Sequence, residues 1–368
     1  MNYSQVADLY TDYLICSFSL ASATNMSRML DNSISHDKIT RLLSDKELSS
    51  KDYWLNVKPI IRKIESEDGV IIVDDTIEEK PFTDENDIVC YHYDHTKGIS
   101  VKGINIVNFL YHSQSSCPDD FSLPLAFQVI SKTEKFFDEK TQKQKRKSII
   151  TKNEILRNQL KALIKHNHIK VKYILFDIWY SSKENMEYIK VDLKKDFVCA
   201  IKDNRTVALS FEDKLQGKFK KISDLDIKTG QTYMVYLKGL DFPVILAKQV
   251  FTNKDGSTGE LYLVSSDIQL TYGQLITIYK RRWKVEPFHK SLKQNVALEK
   301  SPTKTQRTQA NHVFYSMMAF IKLEQLKVKQ NLNHFALKSQ IYVNALKACF
   351  IQLTAIKEKH AIQLALKF

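Results

Sequence analysis

The chain has 368 residues, 43% of them hydrophobic and 26% charged, with nine Gly and seven Pro, which excludes a disordered or low-complexity protein and allows two or three folded units. Its formal charge of +13 is unevenly placed: residues 279–368 hold 17 Lys or Arg against four acids, whereas residues 1–278 hold 38 of each. Clustered cation of this kind favours a polyanionic partner over a merely solubilising role. Five scattered cysteines without a CxxC pair point away from a disulfide framework or a zinc site and towards reduced thiols. No apolar run is long enough to cross a membrane.

Residues 1–65 read as helical. Tyr13–Ala23 is apolar and ends in small residues, but Asp8 and Asp12 precede it and no Lys or Arg does, so an amphipathic buried helix fits better than a signal peptide. Ser22–Leu30 and His36–Leu43 form two short helical patterns around Asp31-Asn32-Ser33, with Ser35 placed to cap the second. That is the outline of a helix-turn-helix, with Lys38, Thr40 and Arg41 available to face DNA. An ordinary helical hairpin has the same spacing and is the commoner structure.

From residue 66 the texture changes. Val70-Ile71-Ile72-Val73 is an apolar β-branched run ending in Asp74-Asp75-Thr76. Val101–Tyr111 and Leu123–Val129 read as strands, Lys152–His166 as a basic helix and Tyr173–Phe176 as a strand ending in Asp177. A helix over Ser182–Ile189 and a buried strand over Phe197–Ile201 follow. Strands joined by a helical crossover predict a mixed α/β sheet flanked by helices. Residues 203–265 alternate as antiparallel strands (Thr232–Leu237, Val244–Phe251, Glu260–Val264), with a turn at Asn253-Lys254-Asp255-Gly256. Thr271 and Gln274 are spaced as a capping box opening a long helix, and basic amphipathic helices continue to the end. These textures divide the chain into a helical region (1–65), a mixed α/β region (66–202), a β-rich insertion (203–265), a returning helix (266–300) and a basic helical region (301–368).

The long helix carries Tyr279, Arg282, Glu286 and Lys293, which fall within about 60° of arc at helical periodicity. One acid among a phenol, a guanidinium and an ammonium suits a carboxylate that meets a metal beside phosphates. A solvated salt-bridge face is the ordinary alternative, weakened here by Trp283 and Phe288 in the same segment. Pro287 must kink this helix or remove the hydrogen bond to the Trp283 carbonyl. Asp74 and Asp177 each follow an apolar strand, where a sheet holds a side chain and the loop beyond leaves space. Three carboxylates converging from distant sequence need cations to neutralise them; two divalent ions about 4 Å apart would do so and flank a scissile phosphate. Mg²⁺ suits such oxygen ligands.

The spacing Y-x2-R-x3-E-x6-K of Tyr279, Arg282, Glu286 and Lys293 resembles the signature of bacterial insertion-sequence DDE transposases. Val73–Thr76 and Phe176–Tyr180 resemble that family's two aspartate motifs. His289–Asn295, Lys300-Ser301-Pro302 and Asn311-His312 are similar to segments of the same group, and the resemblance spans roughly residues 20–325. It implies a ribonuclease-H-like mixed sheet flanked by helices and interrupted by a β-rich insertion, with helical N- and C-terminal regions. It further implies Asp74, Asp177 and Glu286 as catalytic ligands of two Mg²⁺, with Mn²⁺ able to substitute. Asp74 is preferred to Asp75 because the family's residue is followed two positions later by Thr or Ser, here Thr76. Tyr279, Arg282 and Lys293 would hold phosphates, and Arg281, Trp283, Lys290, Lys38 and Arg41 are further DNA-contact candidates. The implied activity is cut-and-paste transposition: cleavage at terminal inverted repeats and strand transfer into target DNA. It is expected of a homodimer in the DNA complex, in a bacterial cytoplasm at the nucleoid, with no membrane.

Relatives that cleave through a DNA hairpin can stack a flipped base on a Trp in the insertion. Here the tryptophans are Trp54, Trp179 and Trp283, all outside it, so that route is in question; Tyr233, Tyr236, Phe242 or Phe251 could substitute. His92-x-x-His95 lacks further ligands at zinc-like spacing. Lys97 and Lys102 suit either phosphate contact or ordinary solvation, and the run Lys143–Lys147 reads as a loop, either DNA-contacting or mobile and solvated. Two rival readings remain open: a ribonuclease-H-like nuclease without strand transfer, and a catalytically silent DNA-binding regulator derived from a transposase.

Overall fold

A computed structural model describes residues 2–94, 97–113, 121–139, 141–252 and 255–365, with side chains as far as Glu358. His95, Asn253 and Lys254 lie outside the described residues. In chain order come α1 (Tyr3–Cys16), α2 (Ala23–Met29), α3 (His36–Ser44) and α4 (Ser50–Ile64), then β1 (Val70–Glu79), β2 (Cys90–Asp94), β3 (Ile99–His112) and β4 (Ser122–Val129). A hairpin of β5 (Glu134–Asp138) and β6 (Lys143–Lys147) precedes α5 (Lys152–Lys161), β7 (Tyr173–Phe176), α6 (Lys183–Glu187) and β8 (Asp196–Ile201). Then follow β9 (Thr206–Ala208), α7 (Phe211–Leu215), β10 (Lys220–Lys221), β11 (Tyr233–Leu237), β12 (Val244–Thr252) and β13 (Thr258–Ser265). The chain closes with α8 (Tyr272–Lys280), α9 (Val285–Asn295), α10 (Gln306–Gln330) and α11 (His334–Ala365).

Two compact units form. The larger comprises residues 47–289 with 304–306, the smaller residues 1–46, 290–303 and 307–368. The larger is built on one sheet in the order β10-β9-β11-β12-β13-β8-β7-β1-β3-β2, with β4 also paired to β3. Its centre, β8-β7-β1, is parallel, and the remaining pairings are antiparallel. Val70–Val73 and Tyr173–Phe176 are buried on both faces, which is why they read as unbroken apolar runs. The expected ribonuclease-H-like mixed sheet is therefore present. Its β-rich insertion joins directly through β13, which pairs with β8.

Three local expectations are corrected. Asp74 does not end its strand, because β3 pairs with β1 all the way to Glu79. The Lys143–Lys147 run is a strand, paired to Glu134–Asp138, and not a loop. The helix expected over Tyr13–Ala23 stops at Cys16. Lys338 donates to the carbonyls of Ile15 and Ser17, and Lys300 donates to that of Phe18, so distant ammonium groups take the carbonyls a continuing helix would use.

The smaller unit is helical. Ser22 and Ser35 cap α2 and α3, and Asp31 and Asn32 turn between them at φ of 51° and 57°, a conformation short polar side chains tolerate. Asn311 closes α3 by donating to the carbonyls of Leu43 (2.8 Å) and Lys46 (2.7 Å). His312 is buried, with Nε2 2.9 Å from the carbonyl of Ala297 and Nδ1 2.9 Å from the Tyr10 hydroxyl. The carbonyl can only accept, so Nε2 carries the proton and Tyr10 donates to Nδ1. That pair steadies Ala297 in the left-handed region, at φ 57°. Asn311-His312 thus has a structural use in this chain.

His334, at the start of α11, is hydrogen-bonded through Nδ1 to the Ser291 hydroxyl (2.8 Å), and burial lowers its pKa to about 4. Glu324 stands 3.7 Å away and would favour the imidazolium, but it is itself paired with Lys327 at 2.8 Å, so burial prevails. Between pH 6.5 and about 4 the unfolded chain takes up a proton that the folded chain refuses. Stability should therefore fall as pH drops through that window, by up to about 3 kcal/mol. Denaturant midpoints of wild type and His334→Gln, compared at pH 7 and pH 4.5, should diverge at the acid end.

Candidate active site

β1 and β7 run parallel with Val73 opposite Phe176, so the next residue of each chain segment, Asp74 and Asp177, comes out side by side. β7 stops there while β1 continues to Glu79. Asp177 bends the chain into a 3-10 turn over Ile178–Tyr180 and accepts the Trp179 N–H at 2.9 Å. Asp74 accepts the Asp75 N–H at 2.8 Å and faces Arg282 Nη1 at 3.4 Å. Burial, then the neighbouring Asp177 charge, pushes the Asp74 pKa up to about 7 against the pull of Arg282. Burial likewise raises that of Asp177.

Arg282 comes from the Tyr279–Lys293 segment, which is not one continuous helix. α8 ends at Lys280, Arg281–Lys284 form a 3-10 turn, and α9 begins at Val285. The break precedes Pro287, which sits in the first turn of α9, where a missing N–H is tolerated. The single stripe is corrected accordingly. Tyr279 and Arg282 are buried, and the guanidinium lies over the rings of Tyr279 (5.7 Å) and Trp283 (4.8 Å). Arg281 donates to the Asp68 carbonyl at 3.0 Å, and Trp283 is exposed. Glu286 is exposed, and among the described residues no three His, Cys, Asp or Glu are gathered closely enough to hold a metal ion. Asp74 and Asp177 are brought together; Glu286 is not gathered with them. One turn further on, His289 Nε2 lies 3.1 Å from Asn108, the residue opposite Asp74 on β3.

A family model described as a transposase DDE domain matches residues 136–321, and one described as a DDE superfamily endonuclease matches residues 3–218. The chain belongs to the DDE transposase family. Comparison with curated proteins gives no match.

In this DDE transposase the two aspartates are a donor set that fits a divalent cation. Two half-buried carboxylates with raised pKa values face one guanidinium, an arrangement that a hard cation would relieve by holding both deprotonated.

The neighbouring Asp75 differs sharply. It accepts from Lys152 Nζ (2.7 Å), Asn105 Nδ2 (2.8 Å) and the Tyr180 hydroxyl (2.9 Å), and these partners, Lys152 foremost, outweigh burial and lower its pKa. Asp75 thereby ties β1 to β3, to the start of α5 and to the turn that follows Asp177. Sequence reading missed this network because its four members lie far apart in the chain. Only the Asp74-Asp75 doublet hinted that one acid was spoken for.

The other candidates stand in varied surroundings. Lys38, Thr40 and Arg41 are exposed on α3. Lys290 lies over the Phe335 ring at 5.0 Å, and Lys293 pairs with Glu299 at 3.2 Å. Lys97 pairs with Glu79. His92 is buried against the Cys90 sulfur at 3.4 Å, and burial lowers its pKa to about 3.

The two adjacent aspartates should respond oppositely to neutralisation. In metal-free protein at pH 8, Asp74→Asn removes a repelled buried charge and should stabilise by on the order of 1 kcal/mol. Asp75→Ala strands three donors and should destabilise by about 2 kcal/mol. Chemical denaturation in a chelator measures both; equal and same-signed effects would contradict the assignment.

Proposed function

We propose that the chain is a transposase that cleaves DNA at the terminal inverted repeats of its element and joins the freed end to target DNA. The juxtaposition of Asp74 and Asp177, with Arg282 of the signature segment on Asp74, carries this reading. Asp74 and Asp177 would hold Mg²⁺, or Mn²⁺ in its place, with Glu286 as the third ligand. A divalent ion supplies Lewis acidity at a phosphate and makes water a competent nucleophile. Asp75 serves as a positioning residue. It accepts from Tyr180, three residues after Asp177, and so fixes the spacing of the two acids.

In the first step a water oxygen bonds to phosphorus, the P–O3′ bond breaks and a 3′-hydroxyl is freed. In the second that hydroxyl attacks a target phosphodiester, one ester replacing another, so no external energy source is needed. Arg282 then has two alternative partners. It neutralises Asp74 in the structure described, and a cation bound there would leave it for phosphate, the role its signature position implies. His289 against Asn108 anchors α9 beside Asp74, with Glu286 one helical turn away, about 5 Å along the axis.

A homodimer is part of the reading. α11 exposes Val343, Leu346, Phe350 and Leu353, spaced 3, 4 and 3 residues apart, the seam of a helix that packs on another helix.

Asp177→Ala and Glu286→Ala should each abolish nicking of inverted-repeat DNA, a loss of more than about a hundredfold, while gel-shift affinity for the ends stays within about threefold. Full cleavage by either variant would end the mechanism. Wild-type protein given a pre-cleaved 3′-hydroxyl end should join it to a plasmid; cleavage without joining would mean a nuclease. Leu346→Glu with Leu353→Glu should leave the protein monomeric on end DNA in sedimentation, and an unchanged dimer would assign the seam elsewhere.

A further inference from the structure

The β5–β6 ribbon lies outside the main sheet, as a separate two-stranded sheet. Its ten strand residues carry five cations against two acids, and Lys135, Lys143, Lys145 and Lys147 are all exposed. Phe136 and Phe137 occupy successive strand positions, so their rings stand on opposite faces, and they are 40% and 55% exposed. Adjacent exposed phenylalanines on a basic ribbon serve neither solubility nor core packing.

The root of the ribbon is firm. Arg146 donates to Asp87 (2.7 Å) and to the Lys132 carbonyl (3.3 Å), and the Lys132 N–H donates to the Asp87 carbonyl (2.7 Å). Both flanks lead back to the aspartates. On the entering side, the Ile130 N–H donates to the carbonyl of Asn105, whose amide holds Asp75; on the leaving side, Lys152 holds the same carboxylate. The ribbon therefore springs from the two segments clamped to the residue beside Asp74.

We propose that this ribbon is a DNA-docking element: it lies in a groove of the duplex whose phosphate is presented to Asp74 and Asp177, its lysines on the phosphates and Phe136 and Phe137 against sugars and bases. The inference rests on the transposase reading above. A two-stranded antiparallel ribbon fits a DNA groove, and apolar wedges beside lysines are a recurring means of groove binding. Five residues per strand give a reach of about 17 Å, or about five base pairs from the root. The ion pair Lys147–Glu134 (3.0 Å) is exposed on both sides, so phosphate can replace it at little cost, whereas Lys145 is exposed but meets a half-buried acid, Asp138.

The full-length protein is titrated with an inverted-repeat duplex and with a random duplex of equal length, over a range of salt. Lys143→Gln with Lys147→Gln should flatten the salt slope by about one per lysine on whichever duplex the ribbon holds. Phe136→Ala with Phe137→Ala should weaken binding about tenfold with the slope unchanged. Effects on the inverted-repeat duplex alone place the ribbon on the element's end, and effects on both place it on DNA generally. The lysine pair changes only exposed surface, so it keeps the test readable if the phenylalanine pair misfolds. Wild-type affinity and slope in both variants overturn the proposal, as does loss of self-association with DNA binding intact. Failure of wild-type protein to bind either duplex would instead overturn the transposase reading.

Discussion

The parallel pairing of β1 with β7 is the constraint on which the rest turns. Once Val73 stands opposite Phe176, two carboxylates must emerge together from a buried sheet centre, whatever the electrostatic cost. The cost shows in the raised pKa values of both acids. The surroundings limit it without removing it: one guanidinium at 3.4 Å, the Asp75 N–H on Asp74, the N–H groups of Trp179 and Tyr180 at Asp177, and a hub at Asp75 that spends three donors on the wrong aspartate for neutralising Asp74. A sheet selected for stability alone would place a neutral residue at one of these positions. Charge only partly compensated and held by a rigid frame is what the cation proposed above would relieve.

What could be read from the sequence was local. The apolar runs of β1, β7 and β8, the Ser35 cap, the Thr271–Gln274 box and the signature spacing depend on neighbours within a turn or a pleat. What could not be read depended on distant partners. Asp74 sits inside a strand because β3 is long enough to pair with β1 through Glu79. The helix bearing the signature breaks at Arg281–Lys284, where Arg281 reaches Asp68 and Arg282 reaches Asp74, and neither demand is visible in a helical projection. The β6 run looked like a loop because charge hid its strand character; its pairing with Glu134–Asp138 supplies the opposite charges that make the strand tolerable.

Glu286 illustrates a different limit. Its spacing to Arg282 and Lys293 follows the family signature, yet it stands exposed while Asp74 and Asp177 are half-buried together. Physical chemistry favours this arrangement before a cation arrives. A third carboxylate brought to the pair would add repulsion that one arginine cannot offset. On the proposed reading Arg282 and Glu286 would be complementary: the first beside Asp74 when no cation is bound, the second when one is.

The charge count points the same way once side chains are placed. The basic residues from Tyr279 onward suggested a DNA surface beginning at the signature, but many of them are engaged internally. Arg281 and Arg282 serve the acids and carbonyls of the larger unit. In the smaller unit Lys293 meets Glu299, Lys300 the Phe18 carbonyl, and Lys322 both Asp8 and Asp12. Lys338 lies buried among helix-end carbonyls, its pKa lowered to about 8 by burial. Formal charge in a segment therefore overstates the charge it offers to a partner. The basic stretch within residues 132–172 has less internal work to do: apart from Arg146 and Lys132 at its root, the described cations of the ribbon lie at the surface, Lys147 against the exposed Glu134 and Lys145 against the half-buried Asp138. On that ribbon the exposed lysines stand on segments clamped to the residue beside Asp74, where the proposed transposase reaction would bring a substrate phosphate.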